Sequence, residues 1–458
     1  MSKVTDTIAA ISTPQGVGGI AVVRVSGPDA VALVRQYVRT VSDEPNRTSF
    51  GVFRVGDRVI DEVVVSTFRA PRSYTGEDVV EISCHGSRYV QEEILRILVS
   101  QAGAVRSARL AEAGEFTRRA FLNGRFDLSQ AEAVADLIES HSEASHRLAV
   151  SQLRGGYSRK LREIRDKFVE LTSLLELELD FSDEDVEFAD RRALCALRDE
   201  LEGEVSRLVA SFRLGNAIKN GVPVAIVGRP NVGKSTLLNS LLNEERAIVS
   251  DIAGTTRDTV EDVVSIDGIA FRFIDTAGIR HSSDIVESAG IERSYRAMAD
   301  AQIVLYMVDA VRPDAEIEEE LDEVRTKVDF GDKTLLLLKN KADKVRPSSQ
   351  DAPQPPHTLA ISAKEGTHID TLRRMLVGSV REGTTSDATL LTNVRHCESM
   401  THVLEALTHV GEAFDQNLPA DLVVVDIRDA LYHLGQITGQ VSSDEVLGTI
   451  FSRFCIGK

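Results

Sequence analysis

The sequence predicts a multidomain chain: an N-terminal α+β domain, an α-helical bundle that is discontinuous in sequence, and an α/β domain inserted into that bundle. Three observations carry this. The 458 residues are too many for one core and fit about two to four domains. Residues 222–383 alternate β-rich runs with helical ones: VPVAIVG, IAFRFID, QIVLYMVDA, TLLLLKN and HTLAIS. Helical periodicity fills both flanks of that stretch.

Taken in order, residues 4–25 read as two strands around the turn TPQGVGG. Alternating patterns recur in GVFRVGDRVIDEVVVSTFRA and DVVEISCHG, and QEEILRILVSQAG has helical spacing with a glycine stop. These make an α+β domain over 1–121. Over 122–219, LSQAEAVADLIESHSEASHRLAVSQL and KLREIRDKFVELTSLLELELDF place apolar residues at three- and four-residue steps, with Gly155-Gly156 between them. A further helical run covers about 191–219, and the acidic FSDEDVEFAD before it reads as a solvated loop. The α/β domain occupies 220–383. Helical periodicity returns over 384–458, so the helical segments on either side of the insertion are expected to meet in space.

Composition narrows the function classes. With 42% hydrophobic and 27% charged residues, the chain has material for real cores, unlike a disordered protein. No run approaches the roughly 18 apolar residues of a membrane span, and MSKVTDTIAAISTP lacks the plan of a signal peptide. Cys84, Cys195, Cys397 and Cys455 lie far apart without metal-ligand spacing, so reduced thiols and a cytoplasmic location are expected. The net charge of −18 argues against a broad basic surface for nucleic acid. Residues 1–130 carry 16 Lys+Arg against 15 Asp+Glu, so the negative excess lies entirely beyond them.

The chemistry concentrates in the inserted domain. GRPNVGKS, 228–235, is G-x-x-x-x-G-K-S between a buried strand and a helix. The glycines let backbone N–H groups turn toward phosphate oxygens, and the helix adds its positive end. Asn231, Val232, Gly233, Lys234, Ser235 and Thr236 are its candidate nucleotide contacts, with Lys234 on the outer phosphates and Ser235 on Mg²⁺. Four later segments agree in order. The stretch Ser250, Asp251, Ile252, Ala253, Gly254, Thr255 and Thr256 offers Thr256 as a second Mg²⁺ ligand. Asp275, Thr276, Ala277 and Gly278 place a carboxylate behind the metal and an amide at the last phosphate. In NKAD, Asp343 can accept two hydrogens of a guanine edge while Asn340 buttresses the site beside Lys341. Ser362, Ala363 and Lys364 can meet the guanine carbonyl through a backbone amide. An adenine would leave Asp343 unpaired, so the site selects GTP. Together these segments define a P-loop GTPase domain.

Ile279 stands where many GTPases carry a water-orienting glutamine. Two features offer a substitute for the missing polar group. The Asn231 side-chain carbonyl can help hold a monovalent cation near the phosphates. Glu287, twelve residues after Asp275, can orient water, and on chemistry alone Asp284 serves equally well. A turn residue bonded to its own backbone and a solvated helix-start acid explain Asn231 and Glu287 as readily.

GRPNVGKSTLLN, DIAGTTRD, DTAGIR and the terminal FCIGK, with PQGVGGIAVVRVSG and AFLNGRFDLSQAEAVADLI in the N-terminal part, resemble the MnmE (TrmE) family of bacterial tRNA-modification GTPases over essentially the whole chain. The resemblance implies a homodimer working with MnmG, a flavin- and NADH-dependent partner. The pair installs an aminomethyl or carboxymethylaminomethyl group at C5 of the wobble uridine of certain tRNAs. A 5-formyl- or 5,10-methylenetetrahydrofolate supplies the carbon, bound in a folate-binding-like N-terminal domain. It further implies G domains that meet across the nucleotides, with K⁺ held by Asn231, Ser250, Ile252 and Thr255, and Glu287 as catalytic acid. Folate contacts fall on Arg24, Glu81, Arg125 and Lys458, where Arg125 replaces a family lysine and keeps the charge on a planar fork. Cys455 reads either as a reactive thiol or as a packed residue. A ribosome-assembly type of switch is the competing class, but the sequence has no basic RNA-binding module of the kind such switches usually append.

Overall fold

The computed structural model describes residues 6–14, 16–100, 108–180, 191–244, 262–274, 287–331, 333–345, 357–381, 389–441, 443–452, 454 and 457. It forms two compact units. One comprises residues 1–138, 151–198 and 405–458; the other comprises 139–150 and 199–404.

The first unit opens with β1 (Ile8–Ile11), β2 (Ile20–Ser26), α1 (Ala30–Arg35), β3 (Arg47–Val55), β4 (Arg58–Phe68), β5 (Val79–His85), α2 (Arg88–Val99) and β6 (Arg109–Leu110). The strands form one sheet in the order β3-β4-β5-β2-β1-β6. Successive strand residues point to opposite faces. Val23, Val25, Val80, Ile82 and Cys84 therefore pack under Ile94, Ile97 and Leu98 of α2, while Arg24 and Glu81, paired in register, belong to the other face.

The helices follow: α3 (Glu115–Leu122), α4 (Leu128–Ile138), α5 (Glu143–Leu153), α6 (Gly156–Asp180) and α7 (Arg191–Asn220). The periodic stretch over residues 128–153 reads as one pattern in sequence but forms two helices. The cause is a reciprocal cap: Ser145 N–H donates to Ser142 Oγ and Ser142 N–H donates to Ser145 Oγ, each at 3.1 Å. Gly155, at φ 77°, separates α5 from α6. After the inserted domain come α12 (Val394–Asp415), α13 (Ala420–Thr438) and α14 (Asp444–Ser452), numbered after the helices given below. Within the first unit α6 packs on α13. Leu128, Ala131 and Val134 share a core with Leu447, Phe451 and Phe454. The two helical stretches thus meet here, through residues more than 300 positions apart in sequence.

The second unit carries β7 (Val222–Val227), α8 (Lys234–Glu244), β8 (Asp262–Ile266), β9 (Ile269–Phe273), α9 (Glu287–Asp300), β10 (Ile303–Asp309), α10 (Asp314–Lys327), β11 (Thr334–Asn340), β12 (Thr358–Ala360) and α11 (Ile369–Arg381). Strand order is β12-β11-β10-β7-β9-β8, with only β8 antiparallel to its neighbour. β10 is apolar on both faces, as a strand covered by helices on each side must be. One face packs on Leu237, Leu241 and Leu376, the other on Met298, Ile317 and Leu321. The chain leaves β7 toward β9 and returns to β10, so the end of β7 is a switch point of the sheet, where such folds bind ligands.

Candidate functional site

The loop 228–235 leaves β7 at that switch point. Gly228 (φ 141°) and Gly233 (φ 102°) take backbone conformations that side chains rarely adopt. A Cβ on Gly228 would overlap the Met307 carbonyl, and one on Gly233 would overlap Asn340 Nδ2. Asn231 is also left-handed, at φ 60°, a conformation asparagine tolerates. Val232 is buried and anchors the loop, whereas Asn231, Ser235 and Thr236 are exposed at the start of α8. Lys234 Nζ donates to the carbonyls of Gly228 (2.7 Å) and Arg229 (3.0 Å). Burial lowers the pKa of its ammonium, since the charged form loses water.

Asn340, at the end of β11, is buried and bridges two segments. Its Nδ2 donates to Val232 O at 2.7 Å, and its Oδ1 accepts from Ala363 N–H at 3.0 Å. Asp343 accepts from Ser362 Oγ at 2.7 Å, and that hydrogen bond holds its carboxyl below the ordinary range. Lys341 Nζ reaches Asp309 Oδ2 at 2.7 Å. The structure therefore gathers the phosphate loop, NKAD and SAK into one place. It also refines the expectation for SAK. Ser362 N–H goes to Thr367 O and Ala363 N–H to Asn340, so Lys364 supplies the one amide of that segment without an acceptor among the described residues. Glu287 is the first residue of α9. Ser250, Asp251, Ile252, Ala253, Gly254, Thr255, Thr256, Asp275, Thr276, Ala277 and Gly278, like Asp284, lie outside the described residues.

In the first unit Arg24 and Glu81 face each other across β2 and β5. Arg24 Nε and a terminal nitrogen donate to the same Glu81 oxygen at 2.9 and 2.8 Å. The guanidinium lies between the rings of Tyr74 and Phe116, at 5.2 and 5.6 Å from their centroids. It also donates to Gly457 O at 3.3 Å, which Ser12 Oγ reaches at 3.1 Å. The C-terminal segment is thereby pinned against β1 and β2. Arg125 flanks the same corner: its Cγ is 3.3 Å from where a Cβ on Gly76 would sit, and its neighbour Phe126 meets Tyr74 edge-on. Lys458 and Cys455 lie outside the described residues. Cys84 is buried, and burial pushes its thiol up to about 11, while the adjacent His85 points outward to Asp61.

Sequence reading missed Tyr74, Phe116, Ser12 and the glycine carbonyl at 457 as parts of this corner. A helical phenylalanine and a loop tyrosine carry no local sign of stacking on an arginine. It also missed the buried set around Arg119, which is 1% exposed and paired with Asp6, Glu77 and Glu115.

Comparison with known proteins follows the same lines. The family model "MnmE helical domain" matches residues 128–455, and "GTP-binding protein TrmE N-terminus" matches residues 7–125. A protein of Christiangramia forsetii called "tRNA modification GTPase MnmE" is 48% identical over 100% of both chains. One of the same name from Parabacteroides distasonis is 50% identical over 99% of this chain and 100% of its own. Among solved structures, Era in complex with MgGDPNP and a ribosomal RNA segment is 30% identical, covering 40% of this chain and 65% of that one, at a TM-score of 0.25. With a matching family model over more than half its length and relatives near 50% identity end to end, the chain belongs to the MnmE family of tRNA modification GTPases.

Proposed function

We propose that this GTPase acts on tRNA with a flavoprotein partner of the MnmG kind, modifying C5 of a wobble uridine with a carbon taken from a reduced folate. The segments 1–121, 122–219, 220–383 and 384–458 serve as folate-binding and dimerising domain, first helical part, G domain and second helical part.

The observation that supports the nucleotide reading best is the Asn340 bridge, which ties the phosphate loop to the segment that selects guanine. Asp343, oriented by Ser362, keeps its remaining lone pairs for the guanine N1–H and N2–H groups. Lys234 exchanges its two backbone carbonyls for phosphate oxygens. Ser235, exposed at the start of α8, fits one Mg²⁺ position, and Thr256 is the proposed second ligand. Mg²⁺ neutralises charge across the bridging oxygens when bound. Asn231, exposed and left-handed, fits a share in a K⁺ shell completed by Ser250, Ile252 and Thr255. A K⁺ held there would supply positive charge of the kind an arginine finger gives in related reactions. Glu287 orients the attacking water, because Ile279 has no group able to do so.

Arg24, Glu81, Arg125 and Lys458 are proposed to hold the folate. The paired Arg24 and Glu81 present a donor fork and an acceptor at one spot, as a pterin edge requires. The charge of Arg24 is held between two rings and a carbonyl rather than left to wander in solvent.

Two measurements test this. GTP turnover in K⁺ is expected to exceed that in Na⁺ at equal ionic strength, and Glu287→Ala is expected to lose it by about 10²-fold or more. Cation-independent turnover removes the potassium role, and an active Glu287→Ala removes the acid. Equilibrium dialysis of a reduced folate is expected to show binding that Arg24→Ala abolishes. Equal binding by both proteins removes Arg24 as a folate contact, and no binding by the unaltered protein leaves the N-terminal domain as a dimerisation element alone.

A further inference from the structure

The phosphate loop is held from a side that nucleotide chemistry does not use. Its second residue, Arg229, turns its guanidinium away from the loop and places a terminal nitrogen 2.8 Å from Glu320 Oε2 on α10. The same carboxylate oxygen accepts from Arg312 at 2.7 Å, and its other oxygen accepts from Tyr306 Oη–H at 2.7 Å. Glu320 is only 12% exposed although Arg229 is 61% exposed, so a nearly buried acid reaches out to hold a surface arginine. Burial alone would push the Glu320 carboxyl up, but the hydrogen bonds from Tyr306 and Arg312 and the nearby Arg229 charge keep it below the ordinary range.

Two parts of the anchor, Tyr306 and Glu320, belong to the sheet and its covering helix. Tyr306 sits on β10 opposite Val227, the last residue of β7 before the loop. Arg312 lies just beyond β10, where its N–H donates to Asp309 O. The Asp309 carboxylate in turn holds Lys341 of the guanine-selecting segment. On the loop's inner side Gly228 is pressed against the Met307 carbonyl of the same strand. The Arg229 carbonyl accepts Lys234 Nζ at 3.0 Å, a bond the loop gives up if Lys234 turns to phosphate. The Arg229–Glu320 pair involves neither Lys234 nor a backbone amide of the loop.

We propose that Glu320 is a positioning residue for the nucleotide, which through Arg229 fixes the phosphate loop to the end of β10, the strand end that also holds Lys341 of the guanine-selecting segment. It touches neither phosphate nor base. Its effect falls on how long the loop keeps its amides turned inward, and so on nucleotide retention rather than on the chemical step. The proposal rests on the nucleotide reading of 228–235.

The test uses the full chain, with stopped-flow release of a fluorescent GDP and steady-state GTP turnover. The variants are Glu320→Gln, Arg229→Met and the double variant. Arg229→Met loses the Arg229–Glu320 charge-assisted hydrogen bond, and Glu320→Gln strips the charge from it and from the Arg312 bond; loss of one such bond corresponds to release faster by about tenfold. kcat at saturating GTP is expected to stay within about twofold, since no catalytic group is touched. The double variant is expected to release GDP no faster than the singles, because both remove one interaction. Arg229→Lys, which keeps the charge, is expected to recover part of the retention. Unchanged release in Glu320→Gln and Arg229→Met overturns the proposal, as do strictly additive effects in the double variant or a fall in kcat with retention intact. Arg229→Met alters an exposed side chain, so it gives the answer even if Glu320→Gln folds poorly. If the unaltered protein binds no fluorescent GDP, the nucleotide reading falls as well.

Discussion

Gly233 shows how much one residue decides. Its φ of 102° and the Asn340 amide against its missing Cβ leave no room for a side chain. Gly233→Ala would strain the loop and displace Asn340 from Val232 O, together about 2–4 kcal/mol. Calorimetry is expected to show GTP affinity lower by at least about 30-fold, with the circular dichroism of the fold kept. Unweakened binding would mean the loop does not need this geometry. Cys84 is the contrasting case. With its thiol pushed up to about 11, roughly 1 molecule in 1,000 carries the thiolate at pH 8. Iodoacetamide labelling followed by mass spectrometry is expected to modify the partly exposed Cys195 long before Cys84. Rapid labelling of Cys84 would contradict its burial. Strand alternation turns Cys84 inward and the adjacent His85 outward. The stacking of Arg24 between Tyr74 and Phe116 was not legible in sequence, because the three residues lie on three elements brought together only by folding.

At the scale of elements, α3 is the one whose role the sequence concealed. EFTRRAFL looks like a short charged surface helix, yet Glu115 and Arg119 are both 1% exposed. They form an i,i+4 pair that also engages Asp6, Glu77 and Arg109. These contacts join the start of the chain, the loop that carries Tyr74, and the helix that carries Phe116. Arg119→Ala would take the arginine from Glu77 and leave Glu115 with Arg109 as its remaining charged partner, and is expected to destabilise the first unit by about 2–3 kcal/mol in urea unfolding. The pH dependence has a definite sign. Burial raises the Glu115 carboxyl, but hydrogen bonds from Arg109, Glu112 N–H and Arg119 outweigh it and set the folded value below the ordinary 4.5. The stability Glu115 contributes is therefore complete above about pH 4.5 and is lost as pH falls through the lower, folded value. Glu115→Gln is expected to flatten the acid limb of a stability–pH curve below that point, and an unchanged limb would remove Glu115 from acid unfolding. The break between α4 and α5 was likewise invisible to periodicity, since apolar spacing continues through it and only the paired Ser142 and Ser145 caps interrupt it.

At the scale of the whole molecule, the two compact units hold the two proposed ligand sites separately, Arg24 and Glu81 in the first and Lys234 and Asp343 in the second. A ligand stabilises the unit that binds it, by about 2.7 kcal/mol at one hundred times its Kd. Hydrogen exchange is expected to slow in residues 222–244 and 334–345 with Mg²⁺·GTP, and around β2, β5 and residues 73–78 with a reduced folate. A response of both regions to either ligand alone would show the sites to be coupled. The sequence by itself determined the inserted α/β domain, the loop 228–235 and the segments 340–343 and 362–364 that meet it, because each depends on residue types at short spacing and on a local strand–loop–helix pattern. Only the tertiary structure decided what presses on those segments: the Asn340 bridge, the Glu320 anchor, the Arg24 corner closed by Gly457, and the buried charges of α3. Most of these contacts join residues tens to hundreds of positions apart, and no local periodicity records which distant side chain will arrive to meet a buried charge.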